Sequence, residues 1–330
     1  MPDLTLVYVV VFFALAFDYI NGFHDTANAI ATSVSTRALQ PQHAVILAAT
    51  LNFAGALYST GVAKTIGGDL VKAASLINQP VIISALFGAI VWNLITWWLG
   101  IPSSSSHALV GGVLGAVIVG AGVDAINLAG VEKIVLSLVI SPLLAMGGGY
   151  IIMIAMMWIF GRQEPGKLNA KFKKLQLLSA SMMSFSHGSN DAQKAMGIIT
   201  LALLSSGHIP TLEVPLWVKL SCALAMGLGT AAGGWKIIKT MGGKIFKLEP
   251  ISGFAADLNS SLVIFAATNL HLPVSTTHVV SGSIMGVGSA KRVSAVRWGV
   301  AKQMLFAWVL TIPFSAITSA LMYKFLSLFI

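Results

Sequence analysis

Polar side chains interrupt two of the apolar runs that make up nearly all of this chain. The runs cover roughly 4–32, 42–63, 79–100, 106–122, 131–160, 175–203, 214–235, 251–271, 277–290 and 298–328. Many reach the ~20 residues that span a bilayer as a helix, so the pattern predicts an all-α protein. Inside the first run, Asp18, Asn21, Asp25 and Asn28 fall on one narrow face at ~100° per residue. Ser184, His187, Asp191 and Lys194 do the same in the sixth.

These two stripes are copies of one another. Moving 166 positions along the chain takes Gly22 to Gly188 and Asp25 to Asp191. A second match lies where prolines break the runs: Ile101-Pro102-Ser103-Ser104-Ser105-Ser106-His107 returns as Leu272-Pro273-Val274-Ser275-Thr276-Thr277-His278. Lys64-Thr65-Ile66-Gly67-Gly68 pairs with Lys239-Thr240-Met241-Gly242-Gly243, and Pro142 with Pro313. Ordered matches at near-constant spacing indicate an internal duplication. The halves are expected at 1–160 and 176–330, joined by a basic linker at 161–175.

Composition fixes the environment. Charged residues are only 9% of the chain against 56% apolar, where a soluble domain carries about a quarter charged. This is the composition of an integral membrane protein. The flank Met1-Pro2-Asp3 lacks the basic region of a cleaved signal peptide, so the first run should persist as a helix. The net charge of +9 sits in loops, where it reports topology before any acidic partner; no nucleic acid is implied. Arg162, Lys167, Lys171, Lys173 and Lys174 assign the central linker to the cytoplasm. If each Pro-hydroxyl break is the tip of a re-entrant hairpin, each half has three crossings plus the hairpin. The halves are then inverted, Lys64 and Lys133 fall outside, the 236–247 lysines inside, and both termini outside. The 101–107 tip should then gate the external path and the 272–278 tip the internal one. Gly67, Gly68, Gly242 and Gly243 are loop-side hinge candidates. Cys222 excludes an intrachain disulfide and is expected as a buried thiol.

The polar elements suggest ion chemistry. Irregular backbone at membrane depth is tolerated where it lines a site, and inverted repeats with interrupted helices are the usual build of secondary transporters. Each tip sets hydroxyls at a helix start, which carries roughly half a positive charge and suits an oxyanion. Ser104, Ser105, Ser106, Ser275, Thr276 and Thr277, with Gln193 and Lys194, form the expected anion set. Asn21, Asp25, Asn28, Asn190 and Asp191 form a hard-oxygen set for a small cation, without the sulfur ligands of a transition-metal site. His24, His107, His187 and His278 are proton carriers or orienting groups; Asp18 and Asp257 lack acidic counterparts. Two aspartates plus an anion exceed the positive charge available, so anion binding should require co-bound cations, which is a mechanism for symport.

Asn21-Gly22-Phe23-His24-Asp25-Thr26-Ala27-Asn28 and His187-Gly188-Ser189-Asn190-Asp191-Ala192-Gln193-Lys194 resemble the twin signature motifs of the inorganic phosphate transporter (PiT) family. The resemblance covers nearly the whole chain. It implies a sodium- or proton-coupled phosphate symporter of prokaryotic form, with inorganic phosphate, a monovalent cation and the lipid bilayer as partners. A homodimer is the assembly option. No cofactor is expected beyond co-transported sodium ions or protons, and the plasma membrane is the expected location. Sodium is favoured because the ligands are Asp, Asn and hydroxyl oxygens. The rivals are a sulfate or arsenate permease, a passive anion channel, and an intramembrane hydrolase using Ser105 or Ser106 with His107. The hydrolase has no use for a duplicated aspartate-asparagine stripe, and the chain is read as a non-enzyme.

Overall fold

A computed structural model describes residues 4–329; the flank Met1-Pro2-Asp3 lies outside them. The described residues form the helices α1 Leu4–Ser35, α2 Pro41–Ala56, α3 Gly61–Asp69, α4 Gln79–Leu99, α5 Ser105–Gly120 and α6 Leu128–Phe160. The second half repeats the order: α7 Pro165–Ser205, α8 Leu216–Ala232, α9 Trp235–Gly243, α10 Pro250–Asn269, α11 Thr276–Lys291 and α12 Trp298–Leu326. Five of these (α1, α4, α6, α10 and α12) are long and apolar enough to cross a membrane. The pairs α2–α3 and α8–α9, bent by 68° and 73°, raise the number to seven if each is one span. The fold is all-α and multi-pass.

Local sequence explains where the helices start and stop. Asn78 caps α4 by accepting from the Val81 N–H, with Pro80 in the first turn; Glu249 and Ser252 form a capping box before α10, with Pro250 in the same place. At the other end of α4, Gly100 turns left-handed (φ 68°), and the N–H groups of Gly100 and Ile101 return to Trp97 and Thr96. His271 and Leu272 close α10 in the same way, onto Thr268 and Ala267.

Both breaks are the turns of helical hairpins. The end of α5 packs back on the start of α4, with Gly120 against Val81. The end of α11 returns to the start of α10, where Lys291 pairs with Glu249. The hairpins point in opposite directions. The first begins beside the end of α3, where Lys72 donates to Ala125, and its bend at Gly100 meets Lys236 and Thr240 of α9. The second begins beyond α9, where Arg297 donates to Ile245, and its bend at His271 meets Gly61 and Thr65 of α3. This is the inverted arrangement.

Glycines set the contacts between halves. Gly111 and Gly115 of α5 lie on the backbone of Ile312 and Ala316 in α12; Gly282 and Gly286 of α11 lie on Pro142 and Met146 in α6. These are the close approaches that membrane helices make through small residues. Cys222 is buried, as expected.

Three expectations change. The basic stretch 161–175 is not a loop: only 161–164 is non-helical, and Lys167 to Lys174 ride the first turns of α7, a helix of 41 residues. Gly67 and Gly242 are not loop hinges, since each sits in a short helix against α7 or α1 backbone. The re-entrant hairpins also reach farther than expected of tips that enter and leave on one side. At ~1.5 Å per residue, α4 and α10 are about 30 Å long, so each bend arrives beside the opposite half's short helix. Chain 101–104 and 272–275 then leads back to the starts of α5 and α11.

Candidate functional site

Two separate apolar cores leave a polar layer between them. Val7, Val10, Ala14 and Phe17 of α1 belong to one core and Ala27 to Ala31 to the other; α7 likewise divides between Phe172 and Met183 on one side and Ala192 to Leu203 on the other. The stripes of α1 and α7 run through that seam, and the starts of α5 and α11 meet there. Ser106 Oγ donates to the Val274 carbonyl at 2.9 Å, and the His107 and His278 rings stand 4.5 Å apart.

Each half supplies an aspartate, and neighbours from both halves converge on it. Asp25 Oδ1 lies 2.6 Å from His24 Nδ1 and accepts from Thr277 Oγ1 at 3.3 Å; Oδ2 accepts from Ser105 Oγ at 3.5 Å. Asp191 Oδ1 accepts from Lys194 Nζ at 2.5 Å, while Oδ2 accepts from Thr276 at 3.0 Å and faces His187 Nε2 at 3.4 Å. Asn28 Nδ2 bridges to Thr276 and Thr277 at 3.2 and 3.0 Å. An oxygen from Asp25, one from Asp191 and a ring nitrogen of His187 all lie within 4.8 Å of one another. All of these residues are buried.

The orphan atoms are as informative as the bonded ones. Both oxygens of Asp18, both side-chain polar atoms of Asn21 and Oδ1 of Asn28 are buried and find no hydrogen-bond partner among the described residues. Leaving a buried polar group unpaired costs ~1–3 kcal/mol, more for a charge, so such clusters call for a bound species. Carboxylate and amide oxygens are the ligands a hard cation takes. Asp18 and Asn21, one turn apart, make one candidate group, and the Asn28 oxygen, about 10 Å farther along α1, belongs with the Asp25 and Asp191 cluster instead.

The structure redistributes other predicted residues. Ser104 and Ser275 are the N-caps, each accepting from a histidine N–H at 3.2 Å, as expected for a helix start. Gln193 is spent elsewhere: its carbonyl accepts from Val62 and Ala63 N–H at 2.8 and 3.2 Å, holding the start of α3, so it does not join the anion set. Asn190 braces the second break, donating to Thr268 and the Leu272 carbonyl and accepting from Val274 N–H. Its oxygen is therefore not a free cation ligand. Lys194 is the partner of Asp191 rather than a free anion-binding charge. Asp257 stands apart, accepting from Thr32 at 2.6 Å and Ser179 at 3.4 Å.

Two supporting residues escaped sequence reading. Asn52 Oδ1 accepts from His187 Nδ1 at 2.9 Å, and its Nδ2 donates to Thr230 at 3.0 Å; Thr96 holds His24 Nε2 at 3.0 Å. The signal was a lone amide and a lone hydroxyl in apolar runs, which point nowhere without the packing. His107 Nδ1 pairs with Ser104 at 2.7 Å, not with the serines considered for hydrolysis.

Known proteins match this arrangement. The family model described as "Phosphate transporter family" matches residues 21–171 and again 162–319. The chain is 54% identical to a "probable low-affinity inorganic phosphate transporter" of Bacillus subtilis over 327 residues, covering 98% of each. It is 48% identical to a relative of the same description in Rhizobium meliloti, covering 94% of this chain and 93% of that one. A solved structure titled "The sodium-dependent phosphate transporter" superposes with a TM-score of 0.90 at 28% identity, covering 99% of this chain and all of the other. With a family model matching across both halves and relatives near half identical over nearly their full length, this chain, a transporter and not an enzyme, belongs to the phosphate transporter family.

Proposed function

We propose that the chain imports inorganic phosphate by sodium symport through a site in the polar seam between two inverted halves, 1–160 and 176–330. The observation that carries this reading is the cluster of Asp25, Asp191 and the Ser105, Thr276 and Thr277 hydroxyls at two helix starts. Charge counting supports it. Lys194 and two helix N-termini of about +0.5 each offset the two aspartates, and a phosphate then adds one or two uncompensated charges. Buried uncompensated charge is costly, so one or two cations must enter with the anion. Asp25, Asp191, Asn21 and the free Asn28 oxygen are the proposed sodium ligands; Asp18, as a third carboxylate, would add one more cation to the count. In the bound state, Ser105, Thr276 and Thr277 turn their hydroxyls from carboxylate to phosphate, assisted by the first N–H groups of α5 and α11.

The loop charges support a plasma-membrane orientation with the 161–175 stretch inside and both termini outside. Under it, the bend at Gly100, against α9, lies toward the inside and the bend at His271, against α3, toward the outside. The expected assignment of gates to tips is thereby exchanged. A second reading, proton coupling, has one specific observation in its favour: each aspartate stands beside an imidazole, His24 or His187.

Purified protein in liposomes, loaded with phosphate-free buffer and given labelled phosphate, separates these. Uptake driven by an inward sodium gradient at equal pH supports sodium symport. Uptake driven only by an inward proton gradient supports the second reading, and uptake of sulfate in preference to phosphate refutes both.

A further inference from the structure

The two bends are clasped alike but flanked differently. Thr65 Oγ1 donates to the His271 carbonyl at 2.8 Å, and its counterpart Thr240 donates to the Gly100 carbonyl at 3.0 Å. Beside Gly100 stands Lys236, whose Nζ donates to the Trp98 carbonyl at 3.0 Å and whose side chain occupies the space over the bend. The position equivalent to Lys236 in the first half is Gly61, by the same spacing that relates Thr65 to Thr240. A side chain at Gly61 would strike the His271 ring. With glycine there, a cavity of about 460 Å³ opens beside His271, where the second half has the Lys236 side chain over its own bend.

The lining of this cavity is suited to an anion. Lys133 is paired with Asp69 at 3.2 Å, whereas Lys64 is exposed and makes no ion pair among the described residues, leaving one net positive charge. Ser59, Thr60 and Thr65 add hydroxyls to the wall. The N–H groups of Val62 and Ala63 are already taken by Gln193, so recognition falls on side chains and not on the start of α3. The cavity also leads somewhere. From His271, a short stretch of chain reaches Thr276, whose hydroxyl lies on Asp191.

We propose that the cavity walled by Lys64, Thr60 and His271 is an encounter site for a tetrahedral oxyanion, which it collects from solution before transfer along 271–276 to the buried seam. The inference rests on the phosphate-transport reading for its ligand, inorganic phosphate, but its geometry is independent of transport. A positive cleft raises the local concentration of anions and the rate at which they arrive, and the effect falls as salt screens it.

Thr60→Cys in a Cys222→Ser background, in intact liposomes, reports the field directly. The probes are an anionic and a cationic methanethiosulfonate of similar size, applied at low ionic strength. The anionic reagent should react about three- to tenfold faster relative to free thiol, and Lys64→Gln should remove that preference while Lys64→Arg keeps it. Millimolar phosphate without sodium should slow the labelling. In uptake assays Lys64→Gln should raise KM for phosphate roughly three- to tenfold at low salt, with Vmax unchanged and little difference at high salt. The same reagent preference with and without the Lys64→Gln substitution, or labelling indifferent to phosphate, overturns the proposal. If the wild-type protein accumulates no phosphate while the labelling pattern holds, the transport reading fails and the oxyanion site stands.

Discussion

Thr277 stands 252 positions after Asp25 in the chain and 3.3 Å from it in the structure. The hydroxyl comes from the broken helix of the second half, the carboxylate from the first helix of the first half. Neither half can assemble this contact alone, and a shift of α11 against α1 takes it apart. A site held in this way changes its ligand geometry whenever the halves move, which is what alternating access requires.

The two aspartates should respond differently to neutralisation. Asp25→Asn and Asp191→Asn are both expected to abolish cation-driven phosphate uptake in liposomes. Only Asp191→Asn strands a buried lysine, because Lys194 has Asp191 as its ion-pair partner. Breaking a buried pair from one side costs ~3–5 kcal/mol, so the unfolding temperature should fall sharply in Asp191→Asn and much less in Asp25→Asn. Adding Lys194→Met to Asp191→Asn should restore stability without restoring transport. Near-normal sodium-driven uptake in either single variant would remove the aspartates from the coupling role.

The hydroxyls at the breaks divide into two groups. Ser105, Thr276 and Thr277 already face charged oxygens, while Ser106 is bound to the neutral Val274 carbonyl. A hydrogen bond to a charged group is worth ~1.5–3 kcal/mol, against ~0.5–1.5 for a neutral one. Ser105→Ala, Thr276→Val and Thr277→Val should therefore raise KM for phosphate about ten- to a hundredfold each. Ser106→Ala should raise it less than about tenfold. Initial-rate uptake over a phosphate series checks this, and equal effects at all four positions would contradict the division.

Gln193 and Asn190 belong to the signature run yet serve the frame. Gln193→Leu loses the acceptor for two N–H groups at the start of α3, a change comparable to losing a helix cap, typically ~1 kcal/mol. The expected outcome is a lower unfolding temperature with KM for phosphate within about twofold of wild type. A large rise in KM with unchanged stability would return Gln193 to the anion site.

These examples mark what the sequence can and cannot convey. The stripes of α1 and α7 were legible because a buried Asp in an apolar run is expensive and a repeated one is not accidental. The breaks were legible because Pro followed by Ser or Thr interrupts an apolar run in both halves. The direction in which Gln193 or Asn190 points was not, since two faces of one helix separate neighbours in a motif. The depth of the bends also depended on a count of helical residues, and α4 and α10 proved long enough to carry Gly100 and His271 to the opposite half. Gly67 and Gly242 looked like turn residues because glycine serves turns and close packing equally well. Asn52 and Thr96 gave only a lone amide and a lone hydroxyl in apolar runs, since their meaning lies in the histidines that pack on them.

Close packing yields its own prediction. Gly22 lies against the Met226 carbonyl and the Thr230 N–H of α8, and Gly188 lies against Asn52 of α2 in the equivalent contact. A methyl group at either place meets backbone, which cannot swing aside. Gly22→Ala and Gly188→Ala should each cost roughly 1–3 kcal/mol, the usual penalty for overpacking. Unfolding temperature in detergent is the measurement, and a neutral result at both positions would mean that the α1–α8 and α7–α2 contacts are looser than described.

The bends give the sharpest test of sidedness. Ile101 and Leu272 are equivalent positions, each next to a left-handed residue and each half-buried. One follows a bend packed on α9, beside the 236–247 lysines; the other follows a bend packed on α3, beside Lys64. Basic loops stay inside, so Leu272→Cys should label from the external solution and Ile101→Cys should not, both in the Cys222→Ser background. An impermeant thiol reagent applied to right-side-out vesicles reads this directly. Saturating sodium and phosphate should slow labelling of Leu272→Cys if the halves close over the bound ions, because the contact between Thr277 and Asp25 then carries the external bend with it. Labelling of Ile101→Cys alone from outside would restore the opposite assignment of gates. Equal labelling of both from one side, whatever the ligand, would contradict the inverted arrangement of the hairpins.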